Sequence, residues 1–128
     1  MVEFALVMIP LTILLYGLIV FGMMFALKQS MTSAAADAAR SAIGATSGNE
    51  VTAAQNTLQD RLGWLGDKYS PSDSPTPEVK PCTNDVSKSC ITVKLAYPHN
   101  TKPLLPLAPG LGLITPSSIN TEATVQLS

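Results

Sequence analysis

Charge is scarce in this sequence. Of its 128 residues, 13% are charged, against about 25% in a typical soluble domain. The shortage is concentrated in one place, since no charged residue stands between Glu3 and Lys28. That gap excludes an ordinary small soluble enzyme. Basic clusters are missing too. The eight Lys and Arg are scattered from Lys28 to Lys102 and the net charge is −1, so no nucleic-acid partner is expected. There is one histidine, His99, and it sits in a proline-rich stretch. Its reading is a solvated loop residue. No GxSxG, HExxH, phosphate-binding loop or dinucleotide fingerprint occurs. Asp67, Asp73, Glu78 and Asp85 are spread along a polar stretch that offers no paired-carboxylate geometry. No catalytic constellation emerges, and no cofactor or metal is expected.

What fills the gap is apolar. Phe4 to Leu27 reads FALVMIPLTILLYGLIVFGMMFAL. As a helix it would extend about 36 Å, enough to cross a hydrocarbon core with some tilt. The remaining residues, about 100, could not wrap such a helix on all sides. A cleaved secretory signal has an apolar stretch of about 7–15 residues after a basic segment; this run is longer and nothing basic precedes it. Pro10 interrupts it. Neighbouring helices or lipid surroundings tolerate such a proline, and a kink near Leu6 to Pro10 is expected. Gly17 and Gly22 are five apart and so do not form GxxxG. Glu3 supports two readings: a solvated acid favoured at a helix N-terminus, or a charge partner for an α-amino group, its own or a neighbour's.

The helical pattern continues past Lys28. KQSMTSAAADAARSAI is rich in alanine, the best helix former. Met31, Ala35, Ala38, Ala42 and Ile43 form a narrow stripe of small residues, which reads as a packing face. Asp37 and Arg40 are spaced to pair on the opposite face. One helix is therefore expected from about Val2 to Ile43, broken by Gly44, Gly48 and Asn49. Ser47 and Glu50 read as a capping box for a second, amphipathic helix over about 50–65. Its apolar face would be Val51, Ala54, Leu58, Leu62 and Leu65, ended by Gly66. Trp64 and Tyr69 would cover a small core.

Tyr69 to Pro81, with four prolines and three serines, reads as a loop or linker. Cys82 and Cys90 follow. A zinc site needs about four ligands, a redox motif wants C-x-x-C, and neither fits. A Cys82–Cys90 disulfide is favoured over two free thiols. It would imply an oxidising compartment, placing this half outside the cytoplasm and the N-terminus inside. A lone spanning helix is oriented by cytoplasmic Lys and Arg, so a basic leader removed from before Met1 is preferred to insertion with Lys28 inside. Ile91, Val93, Leu95 and Tyr97 alternate, as do Ile119, Ala123, Val125 and Leu127. Both runs read as half-buried strands, paired antiparallel over the second helix. Between them Pro98 to Ser118 is too long for a hairpin turn. Its leucines fit a partner or membrane-surface contact, or a fold back onto its own sheet.

The expected class is thus α+β: a long N-terminal apolar helix, a second amphipathic helix, and a small antiparallel β-sheet with a long Pro-rich loop. Residues 1–44 form the membrane-spanning or filament-core helix and residues 45–128 a small extracytoplasmic domain.

Val2-Glu3-Phe4-Ala5-Leu6-Val7 followed by Pro10, the apolar run with Tyr16-Gly17 and Phe21-Gly22, and the Ala-rich stretch Ala34 to Arg40 resemble the TadE-like pilins and pseudopilins of Tad (type IVc, Flp-type) pilus systems. ITVKLAYP, PLLPLAPGLG and the final alternating strand resemble their C-terminal domains more loosely. The resemblance implies a prepilin-type precursor, cut by a prepilin peptidase in the inner membrane and assembled by a platform there into an extracellular filament of identical or related subunits. It implies that Glu3 neutralises a neighbouring subunit's amine, with Met1, Phe4 and Pro10 in the same assembly segment. Glu3 stands third, whereas the family carries this acid fifth, so either processing differs or residues are missing upstream of Met1. The family's usual major subunit is much shorter, which favours a minor one here. A single-pass membrane-anchored scaffold or pilus assembly factor that never polymerises is the alternative function, and a membrane enzyme ranks behind it.

Overall fold

The computed structural model describes residues 2–69, 76–99, 101–102, 104 and 115–127. Its elements are helix α1 (Val2–Ile43), helix α2 (Glu50–Leu62), a 3-10 segment (Gly63–Lys68), and strands β1 (Glu78–Pro81), β2 (Ser89–Tyr97) and β3 (Ile119–Gln126). The sheet has the order β1-β2-β3, with both pairs antiparallel. The expected α+β architecture is present; most of the Pro-rich loop, residues 100, 103 and 105–114, lies outside the described residues.

α1 runs unbroken through Pro10. Its upper half is the backbone of the core. Val20, Met24, Leu27, Met31, Ala35, Ala38 and Ala42 are buried. They recur every three or four residues and so lie on one helical stripe. Ala34 and Ala39 are buried beside them, and these small side chains let α2 approach closely. α2 contributes Ala54, Leu58 and Leu62, and the sheet contributes Ile91, Val93, Leu95, Tyr97 and Ile119. Ile43, expected on the packing stripe, is instead half exposed, because the helix ends there and Gly44 turns the chain away.

The polar contacts between α1 and α2 differ from expectation. Asp37 does not pair with Arg40; its carboxylate accepts from Arg61 of α2 at 3.2 Å. Ser41 Oγ accepts from Thr57 Oγ1 at 2.9 Å, tying the last turn of α1 to the middle of α2. The expected Ser47/Glu50 capping box does not form. Asn49 occupies the N-cap with no side-chain cap bond, and Glu50 Oε2 accepts from the Gly48 N–H at 2.8 Å. Ser47 has no capping role, because the turn through Gly48, whose φ is 95°, moves the helix start two residues on.

α2 ends at Leu62 and the chain tightens into the 3-10 segment. Side chains three apart eclipse in that geometry, so Leu62 and Leu65 both stay buried while Trp64 points outward, 62% exposed. Trp64 therefore does not cover the core. Tyr69 does pack against it. Gly66 breaks the segment at φ 55°, a conformation in which a side chain would be strained.

The strands alternate as read, but the sheet packs on α1 rather than over the second helix. Tyr97 is fully buried and its hydroxyl donates to Lys102 O at 2.7 Å. β1 lies inside the stretch read as a linker. It is a short edge strand, exposed at every position and ending on Pro81, and edge positions are where a sheet tolerates proline. Residues 70–75 of that stretch lie outside the described residues. Cys82 and Cys90 are disulfide-bonded, with Cα atoms 5.1 Å apart. The bond closes the β1–β2 hairpin, whose turn is shaped by Asp85 Oδ1 accepting from the Ser87 N–H (3.1 Å) and hydroxyl (2.6 Å). Those bonds hold the Asp85 carboxyl below its usual range.

Candidate functional site

The sequence of α1 is apolar on every face from Phe4 to Leu27, apart from Thr12 and Tyr16. The fold covers one part of it and leaves the other bare. From Val20 upward one face is buried in the core. Below Val20 the large apolar side chains from Val2 to Ile19 are exposed: twelve of them, from Val2 at 80% and Phe4 at 70% to Ile19 at 54%. Tyr16 alone in this half packs partly against the core. A helix that is apolar all round is stable where something apolar surrounds it. Full burial of twelve such side chains would contribute on the order of 20 kcal/mol or more, at about 1.5–3 kcal/mol each. The bare half of α1 is thus a surface suited to apolar surroundings. α1 is also long and apolar enough to cross a membrane.

The predicted assembly residues sit on this half. Glu3 is exposed in the first turn of α1, where a carboxylate is favoured by the helix dipole. Phe4 lies beside it in sequence and Pro10 two turns further up. Met1 lies outside the described residues. Pro10 has no N–H to offer the Leu6 carbonyl. Just above it, Thr12 Oγ1 donates to Met8 O at 2.8 Å, so the hydroxyl is satisfied within the helix and presents no polar group to the surroundings. Cys82, just after β1, and Cys90, in β2, are not brought to this surface; their bond braces the edge hairpin.

His99 departs from its expected place. It is 2% exposed, and neither ring nitrogen has a hydrogen-bond partner among the described residues. Desolvation lowers its pKa below the ordinary imidazole value. Among the described residues no group of three or more His, Cys, Asp or Glu could hold a metal ion.

Sequence reasoning missed the lower end of the packing stripe: Val20, Met24 and Leu27. In a uniformly apolar run no polar residue marks the face that will pack. The weak signal was their spacing of four and three residues, in phase with Met31 and Ala35.

Residues 1–40 match the family model described as TadE-like protein. No curated protein and no solved structure matches the chain. The matched segment is the stretch carrying the resemblance in sequence, and it contains the whole bare half of α1. The match and the apolar N-terminal helix together fit a Tad pilus-associated protein.

Proposed function

We propose that this chain is a structural subunit, a pilin or minor pseudopilin, of a Tad (type IVc) pilus. The observation that carries the reading is the division of α1: one half built into a small folded domain, the other half bare and apolar on every face. In the inner membrane lipid covers the bare half. In the filament identical or related subunits cover it, and the disulfide-braced domain faces outward. Residues 1–44 supply the filament core and residues 45–128 the extracytoplasmic domain. Glu3 is the one charge on the bare half. Buried among apolar helices it would be costly unless paired, and a neighbouring subunit's α-amino group is the cation that assembly brings near. A prepilin peptidase processes the precursor, an inner-membrane platform drives assembly, and the filament supports surface attachment.

The test is filament incorporation of wild type and Glu3→Gln. Filaments are sheared from the producing cells and both fractions are analysed by intact mass. Wild type is expected in the sheared fraction, two mass units light for the Cys82–Cys90 bond. Glu3→Gln is expected to accumulate in the membrane. Equal incorporation of both would overturn the role of Glu3. Absence of wild type from the filaments would overturn the subunit reading and favour a membrane-anchored scaffold.

A further inference from the structure

Where the bare half of α1 meets the folded domain, two hollows join on one face of the helix. The lower, about 210 Å3, is lined by Phe21, Met24, Phe25, Lys28, Pro116 and Ile119. The upper, about 260 Å3, is lined by Phe25, Lys28, Gln29 and Thr32. Phe21, Met24, Phe25, Lys28, Gln29 and Thr32 follow at helical spacing, so the two form one groove along about 16 Å of α1. Its floor is apolar: Met24 and Ile119 are buried while Phe21 and Phe25 form an exposed wall. Its upper end is polar. Thr32 is already engaged, donating to Lys28 O at 2.9 Å and lying 3.1 Å from Thr121 Oγ1. Lys28 and Gln29 are exposed there. No carboxylate lines the groove among the described residues, so its charge is that of Lys28.

We propose that this groove binds one anionic phospholipid. The acyl chain lies along Phe21, Met24, Phe25, Pro116 and Ile119, and the phosphate is held by the Lys28 ammonium and the Gln29 amide. The gradient from apolar floor to cationic rim follows the gradient along a lipid. Lys28 stands where the apolar run ends, so the rim lies at headgroup depth when the run spans the bilayer. The inference rests on the membrane placement of α1 and goes beyond the assembly reading: a subunit would carry a lipid held by its own side chains.

The test is native mass spectrometry of the purified full chain in detergent, with dioleoylphosphatidylglycerol and dioleoylphosphatidylcholine added separately. One retained phosphatidylglycerol per chain is expected, with about five-fold weaker retention of phosphatidylcholine, the scale of one lysine at an anionic surface. Lys28→Gln should bring the two lipids level. Pro116→Trp, at the exposed rim of the hollow, should reduce retention of both while circular dichroism stays unchanged. Equal phosphatidylglycerol retention by wild type and Lys28→Gln would overturn the proposal. So would competition by glycerol phosphate alone, which would mark a headgroup site without a chain groove. Dimers without bound lipid would overturn it in favour of a second copy as the occupant. The measurement uses isolated chains, so lipid loss with intact filament incorporation fails this inference alone. Lipid retention without incorporation fails the filament reading alone.

Discussion

Asp37 of α1 and Arg61 of α2 meet at 3.2 Å across the helix interface, rather than Asp37 pairing with Arg40 one turn along its own helix. The pair is partly exposed, which limits its worth to about 1 kcal/mol or less. Asp37→Asn and Arg61→Gln should each lower the thermal midpoint of the folded domain slightly, and the double variant by less than their sum. Additive losses in a double-mutant cycle by thermal unfolding would show that the contact contributes nothing.

The small-residue face of α1 makes a larger prediction. Ala38 is fully buried. Ala38→Leu forces a bulky side chain into a filled interface and should cost about 1–3 kcal/mol. Ile43→Ala, at the half-exposed end of the same helix, should cost well under that. Denaturant unfolding of both in the same detergent checks the ranking.

The disulfide closes a short loop of eight residues' separation. Chain-entropy arguments assign such a loop about 2–3 kcal/mol. The Cys82→Ser, Cys90→Ser double variant should lose that much in urea unfolding, with the β1–β2 hairpin first to exchange its amide hydrogens. Unchanged protection in β1 would contradict the bracing role.

His99 sets a pH dependence. Its pKa is depressed in the folded state by burial, so the unfolded chain binds the extra proton first as pH falls. Stability is then fully present above the unfolded imidazole pKa, about 6.5, and is lost as pH falls from there toward the folded value. The depressed Asp85 and Glu78 carboxyls act in the same direction at lower pH. Thermal midpoints between pH 7.5 and 5 should fall for wild type and hold nearly level for His99→Leu. Parallel curves would place the dependence elsewhere.

The two long strands and α2 were legible because each alternates or repeats against a polar background, and α1 because its apolar run and alanine-rich continuation are too long for anything but a helix. β1 was not. Four residues ending in proline, exposed throughout, carry no burial pattern; pairing with β2 and the nearby disulfide define the strand. Trp64 was misplaced because a change from α to 3-10 winding re-aims side chains without a change in composition. His99 was misread because its burial just after β2, at 2% exposure, is not reported by local polarity. On the bare half of α1 the sequence showed the apolar character in full. Where the bare half ends is set by the folded domain, whose edge at Val20 no residue in the run announces.

The central claim is that the bare half of α1 packs against other subunits in a filament. The most direct measurement places a photo-crosslinking amino acid at Leu14, 64% exposed on that half, and irradiates filaments sheared from cells. The account predicts chain-to-chain adducts in the filament fraction, joined α1 to α1. Adducts to lipid alone, with the chain confined to the membrane fraction, would contradict it.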